Sequence, residues 1–207
     1  MTKTYTQKGW SLASLYPSHD GPEIQSAFKD LETQTAEFEK KRPLLNPSIS
    51  QKELLKVIQA LESLYRIAYR LSGYAELWFS ADTQNQSALG MVMRTEQLVS
   101  EIANRTLFFS LWWKDLPDET ASPLMEGIGD YRYWLEEMRH FKPHTLSEPE
   151  EKIINTKNVT GVSAFSTLYD ALTNRYVFKV EVDGEVKELT RGELMSLVRS
   201  PDPDLRA

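Results

Sequence analysis

The feature that most constrains the fold is a pair of apolar stripes between Ser50 and Ala81. The first stripe is Leu54, Ile58, Leu61, Tyr65, Ala68, Ala75 and Phe79, and the second is Val57, Leu64, Leu71 and Trp78. Spacings of three, four and seven residues are typical of an α-helix. Two stripes on neighbouring faces indicate that this helix is buried on two sides, so we expect it near the centre of a bundle.

Capping signals predict further helices around the central one. Asp20 and Glu23 form a candidate capping box for a first helix that ends at about Lys41. Ser50 and Glu53 have the same spacing and predict the start of the central helix. In such a box, the two side chains satisfy backbone N–H groups that the first helical turn leaves free.

Capping signals also predict where three later helices begin. Ser80 or Asp82 is a candidate cap for a third helix, which would end before Pro117. Ser122 precedes a proline and predicts a fourth helix, since serine caps helices and proline suits the first helical position. The apolar stripe of this helix would continue from Leu124 to Met138. Ser147 predicts the start of a fifth helix.

The period changes to two at about 176–189, where apolar and polar residues alternate on both sides of Asp183 and Gly184. This pattern predicts a β-hairpin with a type I′ turn. A break is expected near Gly161, and Thr190–Glu193 is another capping box. The predicted fold class is therefore mainly α, a multi-helix bundle with one β-hairpin near the C-terminal end.

Composition excludes several classes of function. The 207 residues contain no cysteine, which excludes disulfide scaffolds and thiolate metal sites. The formal charge of -6 argues against a nucleic-acid partner, since such proteins usually present a basic face. No apolar run approaches the roughly 20 residues that span a bilayer, so neither a membrane partner nor a targeting segment is expected. We expect a cytoplasmic protein.

The histidines offer no workable metal site. His140 and His144 have the spacing of two zinc ligands on one helical face, but Pro143 interrupts that helix and no glutamate follows His140. A site built on His19 alone is weaker still. The glycines at 127 and 129 are interpreted as an imperfect helix turn or a helix interruption. The sequence therefore predicts no catalytic, cofactor-binding or metal-binding residue, and it leaves any substrate-binding residues unknown.

Aromatic residues are concentrated in four places, which are Trp78-Phe79, Phe108-Phe109, Trp112-Trp113 and Tyr131–Trp134. They suit either a packed core or a peptide-binding surface. Two adjacent helical residues cannot both face one core, so some of them must face a second surface. That surface is an interface or the place of a missing neighbour.

Several segments resemble the N-terminal region of the oligoendopeptidase F family. They are Trp10–Ser18, Leu71–Leu77, Ser80–Ala88, His144–Glu151, Thr160-Gly161, Ala164-Phe165 and Leu194–Arg206. The resemblance implies a mainly helical fold and a zinc metallopeptidase as the parent enzyme. It also implies that zinc is held by a His-Glu-x-x-His helix and a later glutamate in a C-terminal catalytic domain. No position of this chain matches those ligands, so the chain alone is expected to be inactive and to hold no cofactor.

The resemblance further implies that residues 1–207 form a single N-terminal helical region of a longer oligopeptidase, with a sub-boundary near 142–147. This region would form one wall of a channel that admits short peptides. A helix start at Ser200, close to the last residue, fits such a fragment. Its expected partners are the catalytic domain of the same polypeptide and, when that domain is absent, a second copy of the fragment. The alternative is a freestanding helical module that binds a protein or a peptide.

Overall fold

A computed structural model describes residues 10–182 and 184–206. It confirms the fold class, because the described residues are mainly helical and contain one antiparallel hairpin close to the C-terminal end. The chain divides into two compact units, Met1–Thr156 and Lys157–Ala207, which we call the first and second units. The single N-terminal region with a sub-boundary near 142–147 stays a prediction.

The first unit is a helical bundle. Its helices are α1 (Pro22–Glu39), α2 (Gln51–Ala81), α3 (Gln86–Asp115), α4 (Asp118–Met125), α5 (Tyr131–His140) and most of α6 (Glu148–Asn158). As the apolar stripes predict, α2 is buried on two sides and packs against α1 and α3. The largest fully buried side chains come from several of these helices and include Trp113, Phe38, Phe109, Ile24, Leu31, Leu54, Ile58, Leu64, Leu71, Ile102 and Leu135.

The first two helices begin differently from each other. At α2 the predicted capping box is confirmed, since the Ser50 hydroxyl accepts from the backbone N–H of Glu53 at 3.3 Å and the Glu53 carboxylate accepts from the backbone N–H of Ser50 at 3.0 Å. At α1 the predicted box of Asp20 and Glu23 is wrong. Gly21 is the N-cap and makes no side-chain cap hydrogen bond. Because the box requires a spacing of three residues from the N-cap, neither acidic residue has the right position.

The start of α3 also differs from the prediction. Helix α2 continues through Ser80 to Ala81, so neither Ser80 nor Asp82 caps α3. The N-cap is Asn85, whose side-chain oxygen accepts from the backbone N–H groups of Ser87 and Ala88, both at 3.0 Å. An asparagine cap is as favourable as a serine or aspartate cap, so the sequence signal did not discriminate between them.

The predicted helix starting at Ser122 is wrong in two ways. Helix α4 begins earlier, at Asp118, and the Ser122 hydroxyl donates to the Asp118 carbonyl from within the helix at 2.8 Å. The helix then ends at Met125 instead of continuing. Gly127 and Gly129 adopt φ values of 73° and 68°, a region that favours glycine and ends a helix. Of the two interpretations of these glycines, the helix interruption is confirmed.

The second unit contains α7 (Ala164–Thr173), β1 (Val177–Val182), β2 (Glu185–Thr190), α8 (Arg191–Leu197) and α9 (Pro203–Arg206). The predicted break at Gly161 is instead a π-helical segment, Val159–Ser163, which runs directly into α7. The capping box at the start of α8 is confirmed.

The hairpin has a two-residue turn, since Val182 pairs with Glu185. Gly184 has a φ of 78°, as an Asp-Gly turn requires. Asp183 lies outside the described residues, so the type I′ assignment stays a prediction.

Candidate functional site

The three histidines have separate structural surroundings. His19 packs on Trp78, with 4.4 Å between ring centroids, and His140 Nδ1 lies 3.4 Å from the Glu137 carboxylate. His144 belongs to the short turn that follows α5. In the described residues, no three His, Asp or Glu side chains are placed to hold a metal ion, so they do not fit a zinc site.

None of the helices that the structure describes is both long enough and apolar enough to cross a bilayer.

An aromatic cavity of about 490 Å³ opens between α2, α3, α5 and α6 in the first unit. We define the aromatic cavity by its lining residues, which are Ile58, Leu61, Glu62, Tyr65, Tyr69, Ala103, Thr106, Leu107, Phe109, Ser110, Tyr131, Trp134, Met138 and Asn155. Its volume is within the range of ligand-binding pockets, and a mainly apolar wall with few polar groups is also typical of them.

Helix α2 supplies one wall through Glu62, Tyr65 and Tyr69, which follow one another at spacings of three and four residues. Such spacings place side chains on one helical face. The rings of Tyr65 and Tyr69 lie 5.6 Å apart and are tilted by 30°. The Tyr65 hydroxyl shares a 3.2 Å hydrogen bond with the Thr106 hydroxyl of α3, and burial raises the pKa of Tyr65. This tyrosine therefore stays neutral and fixed at physiological pH.

Helix α5 supplies the opposite wall through Tyr131 and Trp134. The Tyr131 hydroxyl donates to the Glu62 carboxylate of α2 at 2.6 Å, and this bond lowers the pKa of Glu62. The Trp134 ring stacks on Phe109 with an interplanar angle of 7° and 6.0 Å between centroids. The carboxylate is thus ionised at neutral pH and held in position beside aromatic rings.

A second cavity of about 600 Å³ has basic residues in its wall, among them Arg42 and Lys142. Both have partners within the protein. Arg42 bonds the Glu148 carboxylate at 2.7 Å, and Lys142 donates to the Leu116 carbonyl at 3.1 Å. The indole nitrogen of Trp112, which lines the same cavity, is buried without a hydrogen-bond partner. Because that nitrogen is inaccessible, the aromatic cavity is the better candidate for a functional site.

The structure divides the aromatic clusters between a core and a surface. Trp113 and Phe108 are buried in the bundle, whereas Trp134 belongs to the aromatic cavity and Tyr133 is exposed beside it. The sequence alone indicates the cluster at 131–134 but no site residue. The cavity has no local sequence signal, because its wall comes from four helices, α2, α3, α5 and α6. The spacing of Glu62, Tyr65 and Tyr69 indicates a shared face of α2, but it does not indicate which side chains meet that face.

Known sequences that are similar to this chain are named for one peptidase family. A family profile described as Oligopeptidase F matches residues 112–178. The Oligoendopeptidase F homolog of Borreliella burgdorferi is 25% identical over 169 residues, which cover 80% of this chain. Oligopeptidase PepF of Bacillus subtilis is 24% identical over 205 residues, or 95% of the chain. These matches support the resemblance of this chain to the N-terminal region of oligoendopeptidase F family proteins.

The chain spans less than a third of the length of these two curated relatives. The alignments cover 27% of the Borreliella burgdorferi protein and 30% of the Bacillus subtilis protein. No solved structure gives a significant match. The family profile and the two relatives support the resemblance that the sequence motifs indicate.

Proposed function

We propose that this chain is the non-catalytic, peptide-confining part of an oligoendopeptidase F-like zinc metallopeptidase. It would form one wall of a channel that admits short peptides for hydrolysis by a C-terminal catalytic domain of the same polypeptide. The match to the family profile and to two peptidases named for that family carries the proposal. We also propose a cytoplasmic location, in keeping with a sequence that has no cysteine for a disulfide framework.

The second unit supports a docking role. It exposes a series of large apolar side chains around the π-helical segment, α7 and the hairpin, namely Val162, Phe165, Leu168, Tyr169, Leu172, Tyr176, Val177 and Val186. Exposed apolar clusters of this kind mark interaction surfaces, since burying them in a partner removes their contact with water. We propose that the catalytic domain covers this apolar face.

Zinc and the catalytic groups would belong to that domain. A zinc peptidase uses its metal to polarise the scissile carbonyl and activate water. The described residues of this chain do not fit such a site, so we assign them to holding the peptide and not to chemistry. The aromatic cavity supplies a surface for that task.

The coding sequence downstream of codon 207 tests the proposal. We expect a His-Glu-x-x-His sequence within it. We also expect the complete product to cleave quenched-fluorescent oligopeptides in a chelator-sensitive way, whereas residues 1–207 alone do not turn them over with added zinc. A stop codon directly after codon 207 would favour the freestanding peptide-interaction module, which the aromatic cavity would also suit. Chelator-sensitive turnover by residues 1–207 alone would contradict the assignment of catalysis to another domain.

A further inference from the structure

The aromatic cavity has an unusual charge distribution for so apolar a pocket. Among the described residues that line it, Glu62 is the only charged one, and no Lys, Arg or His is present. A ligand that enters the cavity therefore meets one negative charge. Charge complementarity favours a cation there.

The aromatic rings around Glu62 favour the same kind of ligand. Tyr65, Tyr69, Tyr131 and Trp134 all line the cavity with Glu62. The negative face of an aromatic ring attracts ammonium and guanidinium groups, and tryptophan and tyrosine are the strongest partners. A carboxylate beside four such rings is therefore selective for a cation that carries an apolar stem.

One cation already contacts Glu62. Arg66 Nη2 lies 3.3 Å from a Glu62 carboxylate oxygen, but the Arg66 side chain is 72% exposed and does not line the cavity. An exposed pair within one helix contributes little free energy. Arg66 is thus a weak competitor that an incoming cation can displace.

We propose that the aromatic cavity binds an arginine or lysine side chain of a peptide. The cationic head lies against Glu62 and the tyrosine rings, and the aliphatic stem contacts Leu61 and the other apolar wall residues. This inference rests on the proposed function, because it names a side-chain class for the peptides that the chain confines.

The test compares three capped pentapeptides that carry arginine, norleucine or glutamate between alanines. They are titrated into residues 1–207, and binding is followed by amide and indole resonances in ¹⁵N spectra. We expect the arginine peptide to bind at least about tenfold more tightly than the norleucine peptide, a difference of about 1.4 kcal/mol, and the glutamate peptide to bind most weakly. The shifted resonances should include the Trp134 indole.

Three substitutions separate charge from shape. Glu62→Gln should remove the preference for arginine over norleucine, whereas Glu101→Gln, at an exposed position on α3 outside the cavity, should keep it. Arg66→Gln should tighten binding of the arginine peptide by about twofold, since it removes a weak competitor. These exposed residues can change without unfolding the bundle.

A pair of tyrosines tests the contribution of the rings. Tyr69 is 65% exposed and lines the cavity, whereas Tyr133 is 71% exposed and does not. Tyr69→Leu should weaken binding of the arginine peptide about threefold, and Tyr133→Leu should leave it unchanged.

Equal binding of the arginine and norleucine peptides, binding of neither, or a preference that survives Glu62→Gln would overturn this inference. The proposed function fails on a different result, namely a downstream reading frame without the zinc-binding sequence. The two failures are therefore distinguishable.

Discussion

The two units use the same local motifs but differ in how they are stabilised. Each contains a complete capping box, Ser50–Glu53 in the first unit and Thr190–Glu193 in the second. The first unit adds a continuous core, in which Trp113 is entirely buried. Among the described residues of the second unit, Val182 is the only buried side chain.

This difference shows that correct local signals do not by themselves stabilise a unit. A ten-residue helix such as α7 is marginal in water without packing, and so is an isolated two-stranded hairpin. In the first unit the apolar faces of α1, α2 and α3 cover one another. In the second unit the comparable faces remain exposed, so we expect it to depend on a partner.

The largest expected effect is a loss of unfolding free energy when a buried side chain of the first unit is replaced, compared with an exposed side chain of the second. Trp113→Ala should lower the free energy of unfolding by about 3–5 kcal/mol, because it leaves a cavity and removes the indole hydrogen bond to the Leu135 carbonyl. Phe165→Ala, at a side chain that is 71% exposed, should change it by less than about 0.5 kcal/mol. Urea unfolding followed by far-ultraviolet circular dichroism measures both. Similar losses of unfolding free energy for the two variants would contradict the proposed difference between the two units.

The exposed apolar face of the second unit should make the chain self-associate. Sedimentation equilibrium at tens of micromolar is expected to show a dimer or larger species. Replacing Phe165 and Leu172 together with glutamate should raise the dimer Kd at least about tenfold, or 1.4 kcal/mol. Ser166→Glu, an exposed position on the same helix, is the matched control and should leave the Kd unchanged. A wild-type chain that is monomeric and binds no hydrophobic dye would contradict the prediction that the apolar face of the second unit is an interaction surface.

An ion-pair network should add a smaller, pH-dependent contribution to the first unit. Arg105 of α3 bonds Glu32 and Glu39 of α1, and the hydrogen bond from Arg105 lowers the pKa of Glu39. Since a lowered carboxyl pKa stabilises the folded state above the unfolded pKa, this contribution is lost as the pH falls through the folded value. Arg105→Met should cost about 1 kcal/mol at pH 7, after allowance for solvent exposure, and much less at pH 3.

Its control is Arg132→Met, which breaks an exposed pair within α5 and should have no measurable effect. Urea unfolding at the two pH values measures both variants. An Arg105→Met penalty that persists undiminished at pH 3 would show that Arg105 acts through packing alone.

The smallest expected effect comes from the capping boxes. Ser50→Ala should lower the free energy of global unfolding by roughly 0.5–1 kcal/mol, since α2 is part of the core. Thr190→Ala removes the matching cap from α8 but should leave global unfolding unchanged, because the second unit does not share that core. Chemical denaturation of the two variants in parallel gives the comparison. Equal penalties would indicate that the two units unfold together.

The sequence predicted the elements whose signals are local. The stripes of α2, the cap at Ser50, the two-residue turn before Glu185 and the cap at Thr190 each involve a few neighbouring residues, and all four are confirmed. Errors arose where two residues offered the same signal. Asn85 caps α3 in place of Ser80 or Asp82, which have a similar intrinsic capping ability.

The sequence could not predict the candidate site, for a different reason. Glu62 and Tyr131 are 69 residues apart in sequence and meet through a hydrogen bond that depends on how α2 and α5 pack. Trp134 likewise stacks on Phe109 of another helix. No spacing along the chain encodes these contacts, so the cavity appears only when the bundle is assembled.

Native-state hydrogen exchange tests the central claim, that the first unit is stable by itself and the second depends on a partner, most directly. For residues 1–207 at a concentration where the chain is monomeric, amides of α2 and α3 should exchange at least about a thousandfold more slowly than in an unfolded peptide. Amides of α7 and the hairpin should exchange within about tenfold of the unfolded rate. Equal, strong protection in both units would contradict the account.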